Sequence, residues 1–428
     1  MLEKLQIRCL TGSGDVSANA YLVEGEGWSI LLDVGAVTGH ARWLSHLKNS
    51  PDLVWVSHVH ADHIGALPEL YKRYPGVEVV MTPTSAALCA CVGRGQDRAV
   101  ADVFDVLGQV SKSLNFKKTM TRRFGETCVR MTPYACGHIP GAASLLLEVE
   151  HGEKFHRILY LPDFSAHAQP LTPRAEFPVF DEETPLDCLI MEGMLGSDRV
   201  SDKLDYDKNL QSLVDGCEQH STGGGQLVAV PSLGLSGEVV HALSEALDEV
   251  YVHDYLEPIF KITAPLLGEL SWADRGVRFV TQPQATRMLM AGQVVVASDE
   301  HLQSGSPSRA LFMSIVEDSD SRIVLCNSTR KKSFAGKVSA TPQGEVFQQG
   351  GLRFRRMLDV EHVLLPNHAP RWALMGTVKL LKPQQVVLVH GQRNALSGLQ
   401  GALRKVVKKK KLTCEVLVPG ALDVVVVT

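Results

Sequence analysis

The sequence has no cysteine pair of the CxxC type, no long apolar run and no strong excess of charge of one sign. No uncharged apolar stretch approaches the ~20 residues that a membrane helix needs. Residues 1–15 have no apolar core of the kind found in signal peptides. With 43 Lys and Arg against 47 Asp and Glu, the net charge of −4 excludes a wholly basic nucleic-acid-binding protein. Any nucleic-acid surface must therefore be local.

The nine cysteines are an odd number spread over 428 residues, which is not the pattern of a disulfide-stapled domain. We therefore expect reduced thiols in the core and a cytoplasmic location. The hydrophobic fraction of 45% is ordinary for a globular protein and excludes a disordered or collagen-like chain. At roughly 150 residues per domain, the length predicts two or three domains.

The order of apolar segments changes near residue 200. Before it, short β-branched strands such as 52–57 and 143–150 follow one another with few long helices, which favours two packed sheets. After it, strands and helices alternate, which is typical of βαβ units in a mostly parallel sheet.

The strongest local signal is an HxHxDH motif that follows the apolar strand at 52–57. It consists of His58, His60, Asp62 and His63. Three imidazoles and a carboxylate this close in the chain are costly to bury unless a cation holds them together. Imidazole nitrogen and carboxylate oxygen suit Zn²⁺ best, with Mn²⁺ or iron as alternatives. We therefore expect a metal site here and not a solvated loop.

Three further residues of ligand type lie where apolar strands begin or end. His138 lies in a glycine-containing turn before a strand, and Asp163 and His390 each follow the apolar part of one. Each taken alone has an ordinary alternative as a turn, cap or surface residue. Together they repeat one arrangement, which indicates that they complete the metal site.

In chain order, the segments HVHADH, GHIPGAAS, LPDFS and LVHG resemble the metallo-β-lactamase superfamily and specifically its β-CASP nucleases. Glu192 in LIMEGMLGS and His368 in LLPNHAPRWAL support this subfamily. The resemblance implies an α/β protein, with a four-layer αββα metallo-β-lactamase fold and an inserted, mostly parallel α/β β-CASP domain. The first domain would occupy 1–198 and 364–428, and the insert 199–363.

The resemblance also implies ligands for two Zn²⁺ ions, with Mn²⁺ as the alternative. One ion would be held by His58, His60 and His138, the other by Asp62, His63 and His390, with Asp163 bridging both. Asp33, in ILLDVGA, would orient the ligand loop from behind the ligands.

The implied activity is hydrolysis of RNA by a dinuclear zinc site with a bridging hydroxide as the nucleophile. Asp62 and Asp163 would act through the metals, His368 would protonate the departing 3′-oxygen or orient the phosphate, and Glu192 would support it. RNA is favoured over DNA as the partner, no membrane is expected, and a homodimer is left open. The last residues leave no room for the extra C-terminal domain of ribonuclease J proteins, so we expect a compact two-domain member.

The middle third departs from the family pattern. An arginine that the family places after the strand at 226–232 is missing near Gly237, and residues 299–301 are Asp-Glu-His where the family has a Gly-Met sequence. The turn formed by Ser304, Gly305, Ser306 and Ser308 either binds a phosphate at the start of its helix or caps this helix.

Basic residues are concentrated at 117–123, 353–356 and 404–411. Such clusters are usually solvated, and contact with a nucleic-acid backbone is the alternative. Three other functions remain open: a phosphodiesterase for DNA or a specialised nucleotide, an inactive scaffold protein, and a small-ester hydrolase. The complete ligand set weighs against the scaffold, and the large insert weighs against the esterase.

Overall fold

The computed structural model describes residues 5–37, 41–92, 98–181, 183–197, 201–220, 223–327, 330–410 and 413–428. The chain divides into two compact units. The first unit consists of Met1–Ala168, Thr172–Asp202 and Asn367–Thr428, and the second consists of Gln169–Leu171 and Lys203–Pro366.

The part of the chain before residue 200 is rich in strands. The described strands are β1 (Gln6–Cys9), β2 (Tyr21–Gly25), β3 (Trp28–Leu32), β4 (Leu53–Trp55), β5 (Glu78–Met81), β6 (Lys112–Ser113), β7 (Met120–Phe124), β8 (Thr127–Ala135), β9 (Ala143–His151), β10 (Lys154–Leu161) and β11 (Cys188–Glu192). The helices are α1 (Ala61–Ile64), α2 (Leu67–Arg73), α3 (Pro83–Val92) and α4 (Arg98–Val110).

Strands and helices alternate through the middle of the chain. The strands are β12 (Gln226–Val230), β13 (Val250–His253), β14 (Val277–Val280), β15 (Val294–Ser298), β16 (Arg322–Cys326), β17 (Val346–Gln349), β18 (Leu352–Arg355) and β19 (Asp359–Val363). The helices are α5 (Tyr206–Glu218), α6 (Leu235–Ala246), α7 (Glu257–Thr263), α8 (Gln282–Met290), α9 (Pro307–Ile315) and α10 (Phe334–Ala340).

The last part of the chain returns to the first unit. Its elements are α11 (Arg371–Leu381), β20 (Gln385–Val389), α12 (Arg393–Lys410), β21 (Glu415–Leu417) and β22 (Val424–Val426). None of the helices among the described residues is both long and apolar enough to cross a membrane.

The described strands of the first unit form two seven-stranded sheets, in the orders β22-β1-β2-β3-β4-β5-β6 and β21-β20-β11-β10-β9-β8-β7. Alternate side chains of both sheets meet in one buried core, in which Ile30 and Trp55 of the first sheet lie with Leu145 and Ile190 of the second. This arrangement confirms the predicted pair of packed sheets.

Parallel pairing brings the ends of distant strands to one edge of each sheet. Leu161 of β10 pairs with Met191 of β11, and Glu192 of β11 pairs with Val389 of β20, so residues 163, 192 and 390 lie at neighbouring strand ends. In the other sheet, Leu32 of β3 pairs with Trp55 of β4. Residues that follow these strands therefore come together although they are far apart in sequence.

The second unit contains a six-stranded sheet in the order β14-β13-β15-β12-β16-β19 among the residues described. All of its strand pairs are parallel, as the alternation of strands and helices predicted. A separate antiparallel hairpin, β17 and β18, packs Phe347 and Phe354 into the core of this unit. The mixed α/β fold class is confirmed.

Candidate metal centre

The HxHxDH residues lie in the loop between β4 and α1. His58 and His63 are fully buried, and His60 is the residue before α1, with an extended backbone at φ −70° and ψ 148°. Asp62 and His63 then lie in the first helical turn. The backbone changes from extended to helical at His60. His58 and His60 therefore precede the helix, and Asp62 and His63 project from its first turn.

One set of side chains, here called the first ligand group, consists of His58, His60, His138 and Asp163. Nδ1 of His60 lies 3.1 Å from Nε2 of His58 and 2.9 Å from Nε2 of His138. Oδ2 of Asp163 lies 3.4 Å from Nε2 of His138 and 3.7 Å from Nε2 of His58. A tetrahedral ion with bonds of about 2.0–2.1 Å holds its donor atoms roughly 3.3 Å apart, which is close to this spacing.

The second ligand group consists of Asp62, His63, Asp163 and His390. Oδ2 of Asp62 lies 3.5 Å from Nε2 of His63 and 3.5 Å from Nε2 of His390. Asp163 approaches this group through both oxygens, with Oδ2 at 3.5 Å from Nε2 of His63 and Oδ1 at 3.2 Å from Nε2 of His390. Asp163 is therefore shared by the two groups.

Three residues of the centre have backbones that are rare for residues other than glycine. Asp33, His138 and His390 have φ values of 59°, 65° and 47°, in the left-handed region. Such residues carry a strain of about 1–3 kcal/mol each and occur mainly at functional sites. In each case the left-handed residue directly follows a strand or a turn glycine, and it changes the direction of the chain at the edge of a sheet.

Two buried atoms of the centre have no hydrogen-bond partner among the described residues. They are Oδ1 of Asp163 and Nε2 of His390, which lie 3.2 Å apart without hydrogen-bond geometry. Buried polar groups are rarely left without a partner, and a cation between them would satisfy both. Nitrogen and carboxylate donors at this spacing are compatible with a divalent metal site.

Electrostatics distinguish the two ligand groups. Burial, together with the neighbouring histidines, holds the pKa of His58 well below its usual value, and burial also lowers the pKa of His60 and His138. Burial acts in the same direction on His63 and His390, but the Asp163 and Asp62 carboxylates outweigh it, so the pKa of both is raised. The three rings of the first group are thus neutral, whereas the two rings of the second group attract positive charge.

Two segments of the sequence match known families, and they include the HxHxDH residues and His390. Residues 13–119 match the metallo-beta-lactamase superfamily. Residues 354–419 match the Zn-dependent metallo-hydrolase RNA specificity domain. The chain carries a metallo-β-lactamase domain. Together with the RNA specificity segment, this domain fits the β-CASP family, as the sequence predicted.

The chain is homologous to several RNA-processing proteins. It is 26% identical to cleavage and polyadenylation specificity factor 73 of Drosophila melanogaster over 94% of this chain and 62% of the relative. It is 25% identical to endoribonuclease YSH1 of Yarrowia lipolytica over 92% of this chain and 51% of the relative. It is 24% identical to the probable RNase MJ4 of Methanocaldococcus jannaschii over 88% of this chain and 91% of the relative. The chain thus spans only about half to three fifths of the length of the eukaryotic relatives.

The fold is also found in a solved structure. A crystal structure of a protein of unknown function from Enterococcus faecalis V583 superposes with a TM-score of 0.62 over 99% of this chain and 100% of that chain. Because the two sequences are only 14% identical, this likeness shows the fold alone.

Asp33 of the metallo-β-lactamase domain lies behind the ligands and accepts four hydrogen bonds. Its Oδ1 accepts from the Ser57 backbone N–H at 2.7 Å. Its Oδ2 accepts from Ser57 Oγ at 2.7 Å and from Tyr160 Oη at 2.5 Å, and lies 2.7 Å from Nδ1 of His63. A carboxylate that accepts from Nδ1 leaves Nε2 of His63 with its lone pair toward the second ligand group.

Glu192 and His368 form a third cluster around Asp163. Oε1 of the fully buried Glu192 accepts from the Phe164 N–H at 2.9 Å, and its Oε2 lies 3.1 Å from Nδ1 of His368. Burial lowers the pKa of His368, but the Glu192 and Asp163 carboxylates outweigh it and raise this pKa to about 9. In the metal-free centre these carboxylates therefore favour the protonated ring.

The sequence analysis missed Asn19 and Tyr160. Nδ2 of Asn19 lies 3.1 Å from Nε2 of His63 and 3.0 Å from Nδ1 of His390. Tyr160, in β10, donates to Asp33. For both residues, the sequence signal is a polar side chain next to apolar residues. Asn19 precedes β2 and is fully buried, and the Tyr160 hydroxyl lies among the aliphatic residues of a core strand.

The predicted substrate contacts lie in the second unit. Ser306 caps α9 by accepting from the Arg309 N–H, and Ser308 Oγ donates to the Asp299 carbonyl oxygen at 2.6 Å. Ser304 and Gly305 belong to the turn before this helix. The hydroxyls of Ser306 and Ser308 thus serve the local fold, and a phosphate site at this turn stays a prediction.

The departures from the family pattern also lie in the second unit. Gly237 is in α6, and a Cβ atom there would come within 2.6 Å of the Leu171 side chain, so a larger residue would require Leu171 to move. Burial, together with Asp299, raises the pKa of Glu300 to about 7, and Nε2 of His301 lies 3.3 Å from its carboxylate. The acidic stretch is therefore only partly charged at neutral pH.

Some residues of the basic clusters are engaged within the fold. Arg122 pairs with Glu78, and Nζ of Lys117 lies 2.9 Å from Glu176. Arg356 is buried and donates to the carbonyl oxygens of Thr341 and Leu358. The lysines at 408–410 are exposed in the last turn of α12, and Lys411 lies outside the described residues.

Proposed function

We propose that this protein is a metal-dependent phosphodiesterase that hydrolyses RNA, with two Zn²⁺ ions bound by the first and second ligand groups. The observation that carries the proposal is the position of Asp163. This carboxylate is shared by both ligand groups and also lies 3.9 Å from Nδ1 of His368. The names of the homologous endoribonucleases and the match to an RNA specificity domain support RNA as the substrate.

The bound ions would supply an activated water and neutralise the charge that develops on the scissile phosphate. Asp163 would hold the two ligand groups together. Burial raises the pKa of Asp163, but His390 and the neighbouring histidines outweigh this effect, so its carboxyl pKa lies well below the usual range. Asp163 therefore stays deprotonated, as a bridging ligand must.

His368 would serve as the general acid. Its Nδ1 faces Glu192 at 3.1 Å, so its transferable proton is the one on Nε2. The Glu192 carboxylate favours the protonated ring, which can give this proton to the departing 3′-oxygen. Glu192 would orient the ring and stabilise its charge.

The decisive experiment is a cleavage assay with zinc-loaded protein on RNA and DNA labelled at the 5′ or the 3′ end. The wild type should cleave RNA, and Asp163→Asn should lower kcat at least 1,000-fold, about 4 kcal/mol of transition-state stabilisation. Asp52→Asn is the matched control, because Asp52 is exposed and its carboxylate accepts only from the Ser29 N–H among the described groups. Equal activity of wild type and Asp163→Asn, or none in either, would refute the proposal.

The same assay tests the second candidate, a phosphodiesterase for DNA or a specialised nucleotide. The altered Asp299–Glu300–His301 stretch motivates it, because this departure from the family pattern lies next to the turn of the predicted substrate contacts. Faster turnover of DNA than of RNA would support this candidate. Absence of bound metal from the native protein would support the inactive scaffold.

The domain boundaries, the cellular location and the oligomeric state complete the proposal. We propose that the second unit is the inserted β-CASP domain at 199–363, flanked by 1–198 and 364–428. Residues 198–200 lie outside the described part of the chain. The cytoplasmic location is proposed from nine free thiols, most of them buried. A homodimer remains a prediction that sedimentation of the purified protein would test.

A further inference from the structure

We propose that a cavity beside the second ligand group binds a phosphate group of the nucleic-acid backbone, with Arg393 and Ser13 as the donors. The inference rests on the phosphodiesterase proposed above and adds a contact to a phosphate that is not cleaved. The cavity lies within the first unit and has a volume of about 740 Å³. Its walls are the glycine-containing turn at 12–15, the first two turns of α12 and the segment at 418–421.

The turn at 12–15 is bound to the chain directly after the ligand His390. The Ser13 carbonyl oxygen accepts from the Gly391 N–H at 3.3 Å, and the Ser13 N–H donates to the Pro419 carbonyl oxygen at 3.2 Å. On the other side of the cavity, α12 begins at Arg393, shortly after His390. The cavity therefore lies next to the metal centre, where phosphates adjoining the scissile one must also lie.

Arg393 supplies a cation that the fold itself does not use. It is exposed, and no carboxylate among the described residues forms an ion pair with it. Gly14 leaves the space for its side chain, because a Cβ atom there would lie 2.7 Å from Cγ of Arg393 and 3.5 Å from its Nε. The arginine stem thus lies across the turn at 12–15. Its guanidinium offers a planar set of N–H donors that matches two phosphate oxygens.

Ser13 supplies a buried hydroxyl to the same cavity. The residue is only 1% exposed, and its Oγ has no hydrogen-bond partner among the described residues, although its main chain is bound on both sides. Buried polar groups are rarely left without a partner, and a phosphate oxygen in the cavity would accept this hydrogen. Ser397, one helical turn after Arg393 on α12, adds an exposed hydroxyl to the lining.

The charge of the lining determines how strong the binding should be. Asp15 is its acidic residue, and Oδ1 of Asp15 accepts from the Ser17 N–H at 2.8 Å and from Ser17 Oγ at 2.6 Å. Since Asp15 balances the charge of Arg393, directed hydrogen bonds must supply the binding. An isolated phosphate ion should therefore bind weakly, whereas a strand that is held at several points should bind more tightly.

The test is fluorescence anisotropy with a uridine oligonucleotide of about ten residues, labelled at its 3′ end, on protein kept metal-free by a chelator. Arg393→Gln should weaken RNA binding roughly 10-fold and lower the slope of log Kd against log salt by about 0.7, the contribution of one phosphate contact on a single strand. Ser13→Ala removes an uncharged donor and should weaken binding roughly 5-fold with an unchanged slope. Lys48→Gln is the matched control and should bind as the wild type does, because Lys48 is exposed, loses the same charge and lies outside the cavity lining.

A second comparison distinguishes a phosphate within the strand from a phosphate at its end. The same oligonucleotide is prepared with a 5′-phosphate and with a 5′-hydroxyl group. Arg393→Gln should weaken binding of both by the same factor. A loss that is confined to the 5′-phosphorylated RNA would overturn the assignment to the backbone, because the cavity would then take a terminal phosphate.

The other outcomes are also distinguishable. Wild-type affinity and salt slope in Arg393→Gln would overturn the inference, and so would an equal loss in Lys48→Gln, because the effect would then be one of general charge. A wild type that does not bind the RNA would overturn it as well. Cleavage by the zinc-loaded protein tests the phosphodiesterase separately, so a protein that binds RNA through Arg393 and does not cleave it would refute the proposed function and leave the phosphate site standing.

Discussion

Asp33→Asn offers the sharpest test of how the metal centre is supported. Asp33 is fully buried and has a φ of 59°. Asparagine tolerates the left-handed backbone nearly as well as any residue except glycine, so this substitution changes the carboxylate and leaves the local backbone unstrained. The effect of the variant therefore reports on the hydrogen bonds of the side chain.

The cost follows from the four donors that surround the carboxylate. Three of them, on Ser57 Oγ, Tyr160 and His63, face Oδ2, and the Ser57 N–H faces Oδ1. An amide has one acceptor oxygen, so at least one donor must face its NH₂ group. A buried donor without a partner costs about 1–3 kcal/mol, and the remaining bonds lose their charge assistance. Relief from burying a charge offsets part of this, and the net loss in unfolding free energy should be about 2–4 kcal/mol.

The assay is urea unfolding of the metal-free protein, followed by fluorescence of its five tryptophans, together with a zinc competition titration. Because two compact units need not unfold together, the variant should shift the transition of the first unit and leave that of the second unchanged. Zinc affinity of the second ligand group should fall about 10–100-fold because His63 loses its carboxylate partner.

The surface control Asp52→Asn removes one exposed carboxylate that accepts from the Ser29 N–H at 2.8 Å, and it should change stability by less than about 1 kcal/mol. If Asp33→Asn behaves like this control in both unfolding and zinc binding, the reasoning about the Asp33 network is wrong.

Three further predictions follow from the same geometry. In the metal-free protein, the pKa of His368 is raised from 6.5 to about 9, because its carboxylate neighbours outweigh burial. Protonated His368 should contribute up to about 3 kcal/mol to the free energy of unfolding. This contribution should be complete below pH 6.5 and lost as the pH rises through 9. Urea unfolding of the wild type and of His368→Asn across this pH range measures it. Zinc binding should release protons, because the pKa values of His63 and His390 are raised in the metal-free centre. Calorimetry in buffers of different ionisation enthalpy measures this release. The number of protons released should fall as the pH rises. Gly35→Ala should weaken zinc binding and destabilise the first unit, because its Cβ would lie 1.7 Å from the Asp62 carbonyl oxygen; unchanged zinc affinity would contradict this.

The parts of the centre that could be predicted from the sequence are those whose chemistry is unusual in their local context. His58, His60, Asp62 and His63 are closely spaced, and His390 ends an apolar strand. Ionisable residues are rarely buried at the end of an apolar strand unless they have a binding partner. The structure brings the four motif residues and His390 together with His138 and Asp163.

Asn19 and Tyr160 could not be found in this way, because their roles depend on partners that are distant in sequence. An asparagine before a strand is an ordinary turn residue until the fold brings His390 to it. Tyr160 is one core aromatic among several until its hydroxyl meets Asp33. For the basic clusters, the sequence predicted more solvent exposure than the structure shows. Arg356 was expected to be solvated and is buried against carbonyl oxygens.

The supports of the centre are unequally distributed, and the charges explain why. The first ligand group contains three histidines, and burial lowers the pKa of each, so their lone pairs are available without competition from protons. The second group places two histidines between the carboxylates of Asp62 and Asp163. Burial opposes protonation of these rings, but the carboxylates outweigh it and raise their pKa.

Without a cation, protonated rings of the second group would turn toward the nearest carboxylate oxygen. Asp33 acts on this group by holding Nδ1 of His63. The outer contacts of the first group are neutral, such as the Asn367 carbonyl oxygen at 3.1 Å from Nδ1 of His138. The strongest contacts behind the ligands are therefore made to the second group, whose protonated rings would otherwise turn toward the neighbouring carboxylates. Metal occupancy of the second group should accordingly be the more sensitive of the two to substitutions behind the ligands.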